Sequence, residues 1–279
     1  MADPRLTPAR GDIAAKHLQG QVTAERFVEG ETLVVADPIA PVRLRPQSGA
    51  EQATQALKGE RVTIYDRNGE GWAWGQLAAD HYVGWLPEAA LAAPSAVPTH
   101  KISALRTFAF PGPSIKLPPA ETLVMGSSIA ASREEAGFVV TAEGQFIPKQ
   151  HVAPLDHVEP DYVAVAERFL GTPYLWGGKS SLGVDCSGLV QVSLNAAGVV
   201  CPRDSDLQFA ALGRALQSSE PLRRGDLIFW KGHVAIVRDA DTLVHANAFH
   251  MATQIEPISA AIARIKASGS DVLAIKRLG

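Results

Sequence analysis

The chain has 279 residues, of which 46% are hydrophobic and 20% charged, so it is long enough for two or three packed domains and lacks the composition of a disordered protein. Its formal net charge of −3 gives no basic footprint for nucleic acid, and no stretch approaches the roughly 20 apolar residues of a membrane span. Two cysteines argue against a disulfide scaffold and suit a reducing compartment.

The N-terminal region is polar and carries prolines at positions 4 and 8. It has no apolar core of a signal peptide, which predicts a cytoplasmic protein; a chain whose leader had been removed would instead be periplasmic or extracellular. Residues 1–30 are interpreted as an N-terminal helical segment, with one helix from about Asp12 to Gln19 ended by Gly20.

Residues 31–93 show the pattern of short β-strands. Turn residues such as Asn68-Gly69 separate β-type runs at 32–35, 42–45, 61–65, 72–77 and 82–86. Five short strands in this space predict a small barrel. The segments Val-Arg-Leu-Arg-Pro (42–46), Gly-Trp-Ala-Trp (71–74) and Tyr-Val-Gly-Trp-Leu-Pro (82–87) resemble bacterial SH3 domains. The aromatic residues of this barrel fit either its core or a binding face: Trp72, Trp74, Tyr82 and Trp85.

A linker with two prolines at 92–98 leads to residues 99–155, which repeat the β pattern more weakly. Thr-Leu-Val-Met-Gly (122–126), Gly-Phe-Val-Val (137–140) and Gly-Gln-Phe-Ile-Pro (144–148) match strands of the first barrel in order. We interpret this region as a second, diverged SH3-like barrel that serves either as a spacer or as a binding module.

Residues 159–279 have a different character. The spacing of apolar residues predicts helices at 160–170 and 187–197, followed by strands at 227–230, 233–237 and 242–245. Helices that precede an antiparallel sheet indicate an α+β domain.

Cys186 lies at the predicted start of the second helix, directly after Asp185. Unpaired backbone N–H groups and the helix dipole stabilise a thiolate at such a position, so Cys186 is the candidate nucleophile. Cys201 follows Val199-Val200 and precedes Pro202, which is the setting of a small buried residue.

The hairpin of strands 233–237 and 242–245 supplies a candidate base. A turn centred on Asp239 would place His233 directly opposite His245, on the same face of the sheet. Two neighbouring histidines and one helix-mouth cysteine fit a nucleophile, a base and an orienting group. Zinc is the alternative for one cysteine and two histidines, but the spacings lack the paired ligands of a zinc site and no fourth ligand is evident. We therefore expect neither a metal nor a cofactor.

Five sequence blocks in this region resemble the NlpC/P60 family of papain-like cysteine peptidases, which act on bacterial cell-wall peptides. They are Gly-Thr-Pro-Tyr-Leu-Trp-Gly-Gly (171–178), Asp-Cys-Ser-Gly-Leu-Val (185–190), Pro-Arg-Asp-Ser-Asp-Leu-Gln (202–208), Gly-Asp-Leu-Ile-Phe-Trp (225–230) and His-Val-Ala-Ile-Val (233–237), with Leu-Val-His-Ala at 243–246. The resemblance implies a papain-like fold and a catalytic triad of Cys186, His233 and His245.

The order of two SH3-like modules and an NlpC/P60 domain is similar to that of γ-D-glutamyl-L-diamino acid endopeptidases. This resemblance implies cleavage of peptidoglycan stem peptides between D-Glu and the diamino acid, with a free N-terminal L-Ala, in murein peptide recycling or turnover. The residues that it implies for substrate binding are Tyr174, Trp176, Asp185, Ser187 and Ser205, with Arg203 a weaker candidate and Tyr82 reaching over from the first barrel.

Two other functions stay open. The chain fits a wall-binding protein with an inactive catalytic domain, and it fits an amidase or acyl transferase on the same scaffold. The expected partners are peptidoglycan-derived peptides; neither the preferred diamino acid nor the oligomeric state follows from the sequence.

Overall fold

The computed structural model describes residues 3–279. The chain divides into two compact units, one ending at His157 and the other running from Val158 to Gly279. Within residues 3–279, no helix has the length and apolar character needed to cross a membrane.

The N-terminal unit is built from short strands. Their bounds are β1 (Ile13–Ala15), β2 (Arg26–Val28), β3 (Glu31–Val35), β4 (Ile39–Arg43), β5 (Gln52–Leu57), β6 (Arg61–Arg67), β7 (Trp72–Leu77), β8 (Val83–Pro87), β9 (Leu91–Ala92), β10 (His100–Ile102), β11 (Arg106–Ala109), β12 (Glu121–Val124), β13 (Ser128–Ile129), β14 (Ala131–Glu135), β15 (Phe138–Thr141), β16 (Phe146–Pro148) and β17 (Val152–Pro154).

Strands β3 to β9 form one seven-stranded sheet in the order β5-β4-β8-β7-β6-β3-β9. All five runs predicted to be strands in this region lie in it. The sequence did not indicate β5, because its Gln-Ala-Thr-Gln-Ala-Leu composition has weak strand propensity. Burial of Thr54, Ala56 and Leu57 compensates for that propensity, which shows that tertiary packing decides the conformation here.

The helix predicted for residues 12–19 is wrong. Ile13, Ala14 and Ala15 form the extended strand β1, and only Lys16–Leu18 make a single 3₁₀ turn. All three residues of β1 are fully buried, and Ile13 packs against Trp74 and Trp85. A helix would bury only one face of this segment, whereas an extended chain laid on the aromatic side chains buries every residue.

Residues 100–154 form three small sheets, with strand orders β13-β10-β17, β11-β12 and β14-β15-β16. Their apolar side chains share one core that includes Ile102, Leu123, Val139 and Ile147. The three runs singled out in the sequence overlap β12, β15 and β16. The interpretation of this region as an SH3-like barrel stays a prediction.

The C-terminal unit combines helices with an antiparallel sheet, as an α+β domain does. Its elements are α1 (Tyr162–Glu167), β18 (Lys179–Ser180), β19 (Gly183–Val184), α2 (Cys186–Ala196), α3 (Ser205–Ala211), β20 (Arg214–Ala215), β21 (Leu227–Trp230), β22 (His233–Val237), β23 (Thr242–Asn247), β24 (Ala252–Pro257), α4 (Ile258–Ala267) and β25 (Val272–Arg277).

The main sheet of this unit has the order β20-β25-β21-β22-β23-β24. Helix α2 packs against β22 and β23, the two neighbouring strands that carry the predicted histidines. Nine of the eleven residues of α2 are buried, so the helix is held firmly on the sheet. The first helix is shorter than predicted: it begins after the N-cap Asp161, whose carboxylate accepts the backbone N–H groups of Val163 and Ala164.

Candidate active site

Cys186 is the first residue of α2 and is 6% exposed. Its side chain lies against β22, since the backbone N–H of Val234 reaches the thiol, as does that of Ser187. Val234 directly follows His233, so the packing of α2 on β22 brings the candidate nucleophile to the strand that carries the candidate base.

The thiol of Cys186 is protonated in this environment. Its pKa is raised to about 12, chiefly by burial and then by the charge on Asp185, and the hydrogen bonds from Val234 and Ser187 only partly offset the rise. Burial thus acts against the stabilisation of a thiolate that the helix mouth provides. Removal of the sulfur from water outweighs the favourable backbone dipoles.

His233 and His245 are in direct contact. His233 Nε2 lies 2.9 Å from His245 Nδ1, and the two ring centroids are 5.1 Å apart. The predicted register is wrong, because β22 and β23 pair Ile236 with Val244 and Val237 with Leu243. The histidines are thus offset by two residues rather than directly opposed. They still share a face, because side chains alternate with a period of two along a strand.

Burial keeps both imidazoles neutral at physiological pH. It lowers the pKa of His233 to about 3, with smaller contributions from the charges on His245 and Arg264. It lowers the pKa of His245 to about 4, although a hydrogen bond with Glu256 acts in the opposite direction. A neutral imidazole at His233 is able to accept a proton from Cys186.

Glu256, which the sequence analysis missed, completes this side of the site. Its Oε2 lies 2.6 Å from His245 Nε2, and Arg264 donates a hydrogen bond to the same oxygen. Burial acts to raise the pKa of Glu256, but the hydrogen bonds from Arg264 and His245 outweigh it and lower the pKa. The strand β24 that carries Glu256 was not predicted, so no sequence signal connected this carboxylate with the histidines.

Asp185 is the hub of the turn that precedes α2. Its carboxylate accepts hydrogen bonds from the backbone N–H groups of Gly177 (2.8 Å) and Gly188 (2.7 Å) and from the hydroxyl of Ser187 (3.2 Å). Arg203, itself 1% exposed, donates to both carboxylate oxygens at 2.9 and 2.7 Å. These five donors occupy two buried oxygens, and the direct contact of Asp185 with a substrate amine stays a prediction.

The same ion pair engages Ser187. Its hydroxyl is 6% exposed and accepts a hydrogen bond of 2.9 Å from Arg203 while donating to Asp185. These hydrogen bonds connect Ser187 and Arg203 to the turn before α2, and the direct contact of either residue with the substrate stays a prediction.

Two glycines permit the close approach of backbone in this turn. A Cβ atom on Gly188 would lie 2.1 Å from the carbonyl oxygen of Gly178, and one on Gly178 would lie 2.4 Å from that of Gly183. A side chain at either position would therefore force the backbone of the turn to shift.

The remaining predicted site residues of this unit differ in exposure. Tyr174 is half-buried; its pKa is raised by burial and then by the charges on Cys186 and Asp185, which places a protonated phenol near the thiol. Trp176 is 68% exposed on the same segment. Ser205 is partly buried at the first position of α3, two residues after Arg203.

Tyr82 lies in the other unit and is 4% exposed. It packs in the core of the seven-stranded sheet with Leu33, Val42 and Leu86. This burial places Tyr82 in the core of the barrel, and its contact with a substrate stays a prediction.

Cys201 is 1% exposed, as expected for a small buried residue. Both cysteines are free thiols. Within residues 3–279, His, Cys, Asp and Glu side chains form no group of three that could hold a metal ion.

Comparisons with known proteins identify two regions of the chain. Residues 171–266 match the family model of the NlpC/P60 family, and residues 42–91 match that of the bacterial dipeptidyl-peptidase SH3 domain. The first match contains Cys186, His233, His245 and Glu256.

Curated relatives share moderate identity with the chain. A gamma-D-glutamyl-L-lysine dipeptidyl-peptidase of Bacillus cereus is 28% identical over 242 residues, which cover 74% of this chain and 70% of the relative. The protein of the same name from Bacillus subtilis is 28% identical over 192 residues, 63% of each chain. Dipeptidyl-peptidase 6 of Lysinibacillus sphaericus is 38% identical over 85 residues, about 30% of this chain and 31% of the relative.

Among solved structures, an NlpC/P60 family protein from Bacillus cereus aligns with a TM-score of 0.76 at 22% identity, over 89% of this chain and 99% of that chain. An NlpC/P60 endopeptidase from Photobacterium damselae subsp. piscicida aligns with a TM-score of 0.59 at 16% identity, over 87% of this chain and 70% of that chain. At these identities the alignments support the fold alone.

Proposed function

We propose that this protein is a cysteine endopeptidase that hydrolyses the γ-D-glutamyl-L-diamino acid bond of peptidoglycan stem peptides. The proposal starts from the order of its two matched regions, a bacterial SH3 domain followed by an NlpC/P60 peptidase domain. The names of the Bacillus relatives support the bond and the mode of attack, because a dipeptidyl-peptidase releases a dipeptide from a free N-terminus. We further propose that the substrates carry a free N-terminal L-Ala and arise in murein peptide recycling or turnover.

The domain limits belong to the same proposal. We assign residues 31–93 and 99–155 to two SH3-like barrels and residues 159–279 to the peptidase domain. We assign the N-terminal segment around Arg10 to the first barrel. The guanidinium of Arg10 stacks over the rings of Trp74 and Trp85, at 4.5 and 5.0 Å from their centroids, and pairs with Asp66.

One observation carries the catalytic proposal: the helix-mouth thiol accepts a hydrogen bond from the backbone N–H of Val234, and Val234 directly follows a histidine that contacts a second histidine. In the proposed reaction His233 accepts the thiol proton as Cys186 Sγ attacks the γ-carbonyl carbon of D-Glu. Because burial raises the pKa of the thiol, we propose that proton transfer to His233 accompanies the attack.

The tetrahedral intermediate needs two hydrogen-bond donors for its oxyanion. The backbone N–H of Cys186, in the first turn of α2, is one. We assign the second to the phenol of Tyr174, which is held protonated near the thiol. The protonated His233 then donates its proton to the departing amine of the diamino acid, which leaves a thioester on Cys186. Water, deprotonated by His233, hydrolyses the thioester and releases the dipeptide.

Trp176 and Ser205 are proposed to line the substrate pocket, since one is exposed beside Tyr174 in sequence and the other begins α3 close to Arg203. Asp185 contributes indirectly, by holding the turn that carries Tyr174 and Cys186. This division separates residues that touch the peptide from those that shape the site.

Digestion of the synthetic tripeptide L-Ala-γ-D-Glu-L-lysine, followed by mass spectrometry of the products, tests the proposal. We expect L-Ala-D-Glu and free lysine from the native protein, no product from Cys186→Ala, and full activity from the matched control Cys201→Ala. A tripeptide with an acetylated N-terminus should be cleaved much more slowly.

The outcomes also separate the alternatives. Cleavage by Cys186→Ala would exclude Cys186 as the nucleophile. Equal cleavage rates on the free and the acetylated tripeptide would exclude recognition of the N-terminal amine. Products cut at another bond would indicate an amidase or acyl transferase. Intact peptide together with retention of the protein on purified wall would indicate a binding protein.

A further inference from the structure

Glu256 lies on β24 beside the histidine pair. In the register of β23 and β24, His245 pairs with Gln254 and Leu243 with Glu256, so Glu256 is the diagonal neighbour of His245. Its side chain is 13% exposed, and its Oε2 is 2.6 Å from His245 Nε2. This short contact connects a carboxylate to the far end of the pair formed by His233 and His245.

Among residues 3–279, the charged or titratable groups that contact Glu256 are all basic side chains. His245 approaches from β23, Arg264 donates to Oε2 from α4, and His250 Nε2 lies 3.8 Å from Oε1 in the turn before β24. Arg264 is in turn held over the ring of Phe249, with its guanidinium 4.5 Å from the ring centroid. The carboxylate is thus fixed in place and kept ionised.

The order of hydrogen bonds determines where each imidazole carries its proton. A carboxylate only accepts, so His245 donates through Nε2 and, being neutral, presents an unprotonated Nδ1. That atom accepts from Nε2 of His233. Neutral His233 then carries its lone pair on Nδ1, the nitrogen that is able to receive the proton of Cys186.

We propose that Glu256 is a positioning residue: acting through His245, its carboxylate selects the tautomer of His233 that accepts the thiol proton and stabilises the imidazolium that results. The inference rests on the proposed roles of Cys186 and His233. Glu256 does not touch the substrate; it acts two rings away from the sulfur.

The variant Glu256→Gln tests this inference, because it keeps the size of the side chain and removes its charge. If the amide donates to His245, the tautomers reverse and Nδ1 of His233 is blocked by a proton. If the amide accepts, the tautomers persist but the imidazolium loses its counter-charge. In either case we expect kcat to fall about 10–100-fold, by analogy with the loss of a hydrogen-bond partner that orients a metal-binding histidine, with KM unchanged. Glu256→Asp, which keeps the charge, should recover part of kcat.

The matched control is Asp226→Asn. Asp226 is a 1% exposed carboxylate in the same unit, and its side chain bonds to Arg277 at 2.7 Å rather than to either histidine. It removes a buried carboxylate of the same kind without touching the pair. We expect lower thermal stability with kcat unchanged, so loss of stability alone is distinguished from loss of positioning.

A second readout does not depend on the substrate. The rate of alkylation of Cys186 by iodoacetamide, followed across pH by mass spectrometry, reports how readily His233 takes the thiol proton. Because the carboxylate favours the protonated histidine, Glu256→Gln should slow alkylation about 10-fold at pH 7 and shift the whole profile to higher pH. Asp226→Asn should leave the profile in place.

A Glu256→Gln protein with native kcat, or with a native alkylation profile, would overturn the inference. If the native protein cleaves no tripeptide, the proposed function fails, and the alkylation profile still decides the role of Glu256. If cleavage is native-like and the profile does not shift, the function stands and the inference fails.

Discussion

The cysteine side and the histidine side of the site each contain a carboxylate paired with an arginine, but the two ion pairs have different roles in this account. The cysteine side (residues 174–188 with Arg203) holds the Asp185 carboxylate with a fully buried arginine, 1% exposed. The histidine side (His233, His245, Glu256 and Arg264) holds its carboxylate with an arginine that is 24% exposed. Each pair fixes one reacting partner, but only Glu256 bonds directly to a group in the proposed path of the proton.

This difference teaches how one kind of ion pair serves structure in one place and chemistry in another. The carboxylate of Asp185 accepts hydrogen bonds from the turn and from Arg203, so we expect its removal to lower the stability of the fold before it affects the reaction rate. Glu256 makes one bond to an imidazole and shares an oxygen with Arg264, so its removal should affect proton transfer first. Stability and rate measurements on matched variants separate the two.

The largest expected effect is on the cysteine side. Arg203→Met leaves the buried Asp185 without its cation, and breaking a buried pair in this way costs about 3–5 kcal/mol. Amide hydrogen exchange in α2 measures the loss as a lower free energy of opening. The control Arg214→Met removes an arginine paired with Glu220 on the surface, and α2 should exchange as in the native protein. Equal exchange in the two variants would contradict a structural role for Arg203.

The next effect is the dependence of stability on pH. The unfolded chain protonates these histidines near pH 6.5, whereas the folded chain keeps His233 and His245 neutral down to pH values of about 3 and 4. The folded state therefore loses stability as the pH falls from 6.5 towards 4.5, by an amount on the order of 2–4 kcal/mol.

Hydrogen exchange of β22 at pH 4.5, 5.5 and 6.5, corrected for the intrinsic exchange rate, measures that change. Strand β7 of the N-terminal unit is the internal control and should change less. Equal losses of stability in both strands would show that groups other than the two histidines set the pH dependence.

A smaller change in stability is expected on the histidine side. Arg264→Met removes one hydrogen bond to a partly exposed carboxylate, which is worth about 1–2 kcal/mol. Because Glu256 then loses its tether, kcat should fall about 10-fold while KM is retained. Kinetics on the tripeptide check both values. A loss of stability as large as that of Arg203→Met, with native kcat, would erase the contrast between the two sides.

The smallest effect is expected in the first barrel. Tyr82→Phe removes one hydroxyl from a core residue and should cost about 1 kcal/mol or less, with KM for the tripeptide unchanged. Ser205→Ala is the comparison, because Ser205 is proposed to line the pocket and its loss should raise KM. A raised KM in Tyr82→Phe would support the predicted contact between Tyr82 and the substrate.

The sequence located Cys186 well because its signal is local: Asp185 is an N-cap residue and apolar residues follow at helical spacing. The histidine pair was found in spite of a register error of two residues, since an even error leaves both side chains on the same face. Predictions that rest on a local pattern of fixed period were therefore correct in substance even where the exact register was wrong.

Long-range partners could not be predicted in the same way. Arg203 reaches Asp185 across 18 positions and Glu256 reaches His245 across 11, and no periodicity relates either pair. Without Arg203, Asp185 looked available to a substrate amine; without β24, Glu256 had no place near the histidines. The prediction of a helix in the N-terminal segment was wrong for a related reason: contacts with tryptophans distant in sequence stabilise Ile13–Ala15 as a strand.

An affinity label tests the central claim, that Cys186 is the nucleophile at a γ-D-glutamyl carbonyl, most directly. The label is L-Ala-D-Glu with a chloromethyl ketone in place of the γ-amide, and peptide mapping after one equivalent locates it. We predict that Cys186 displaces chloride and carries the label, that activity falls in proportion, and that Cys186→Ala stays unlabelled. Label on Cys201, or no label on a protein that cleaves the tripeptide, would contradict the claim.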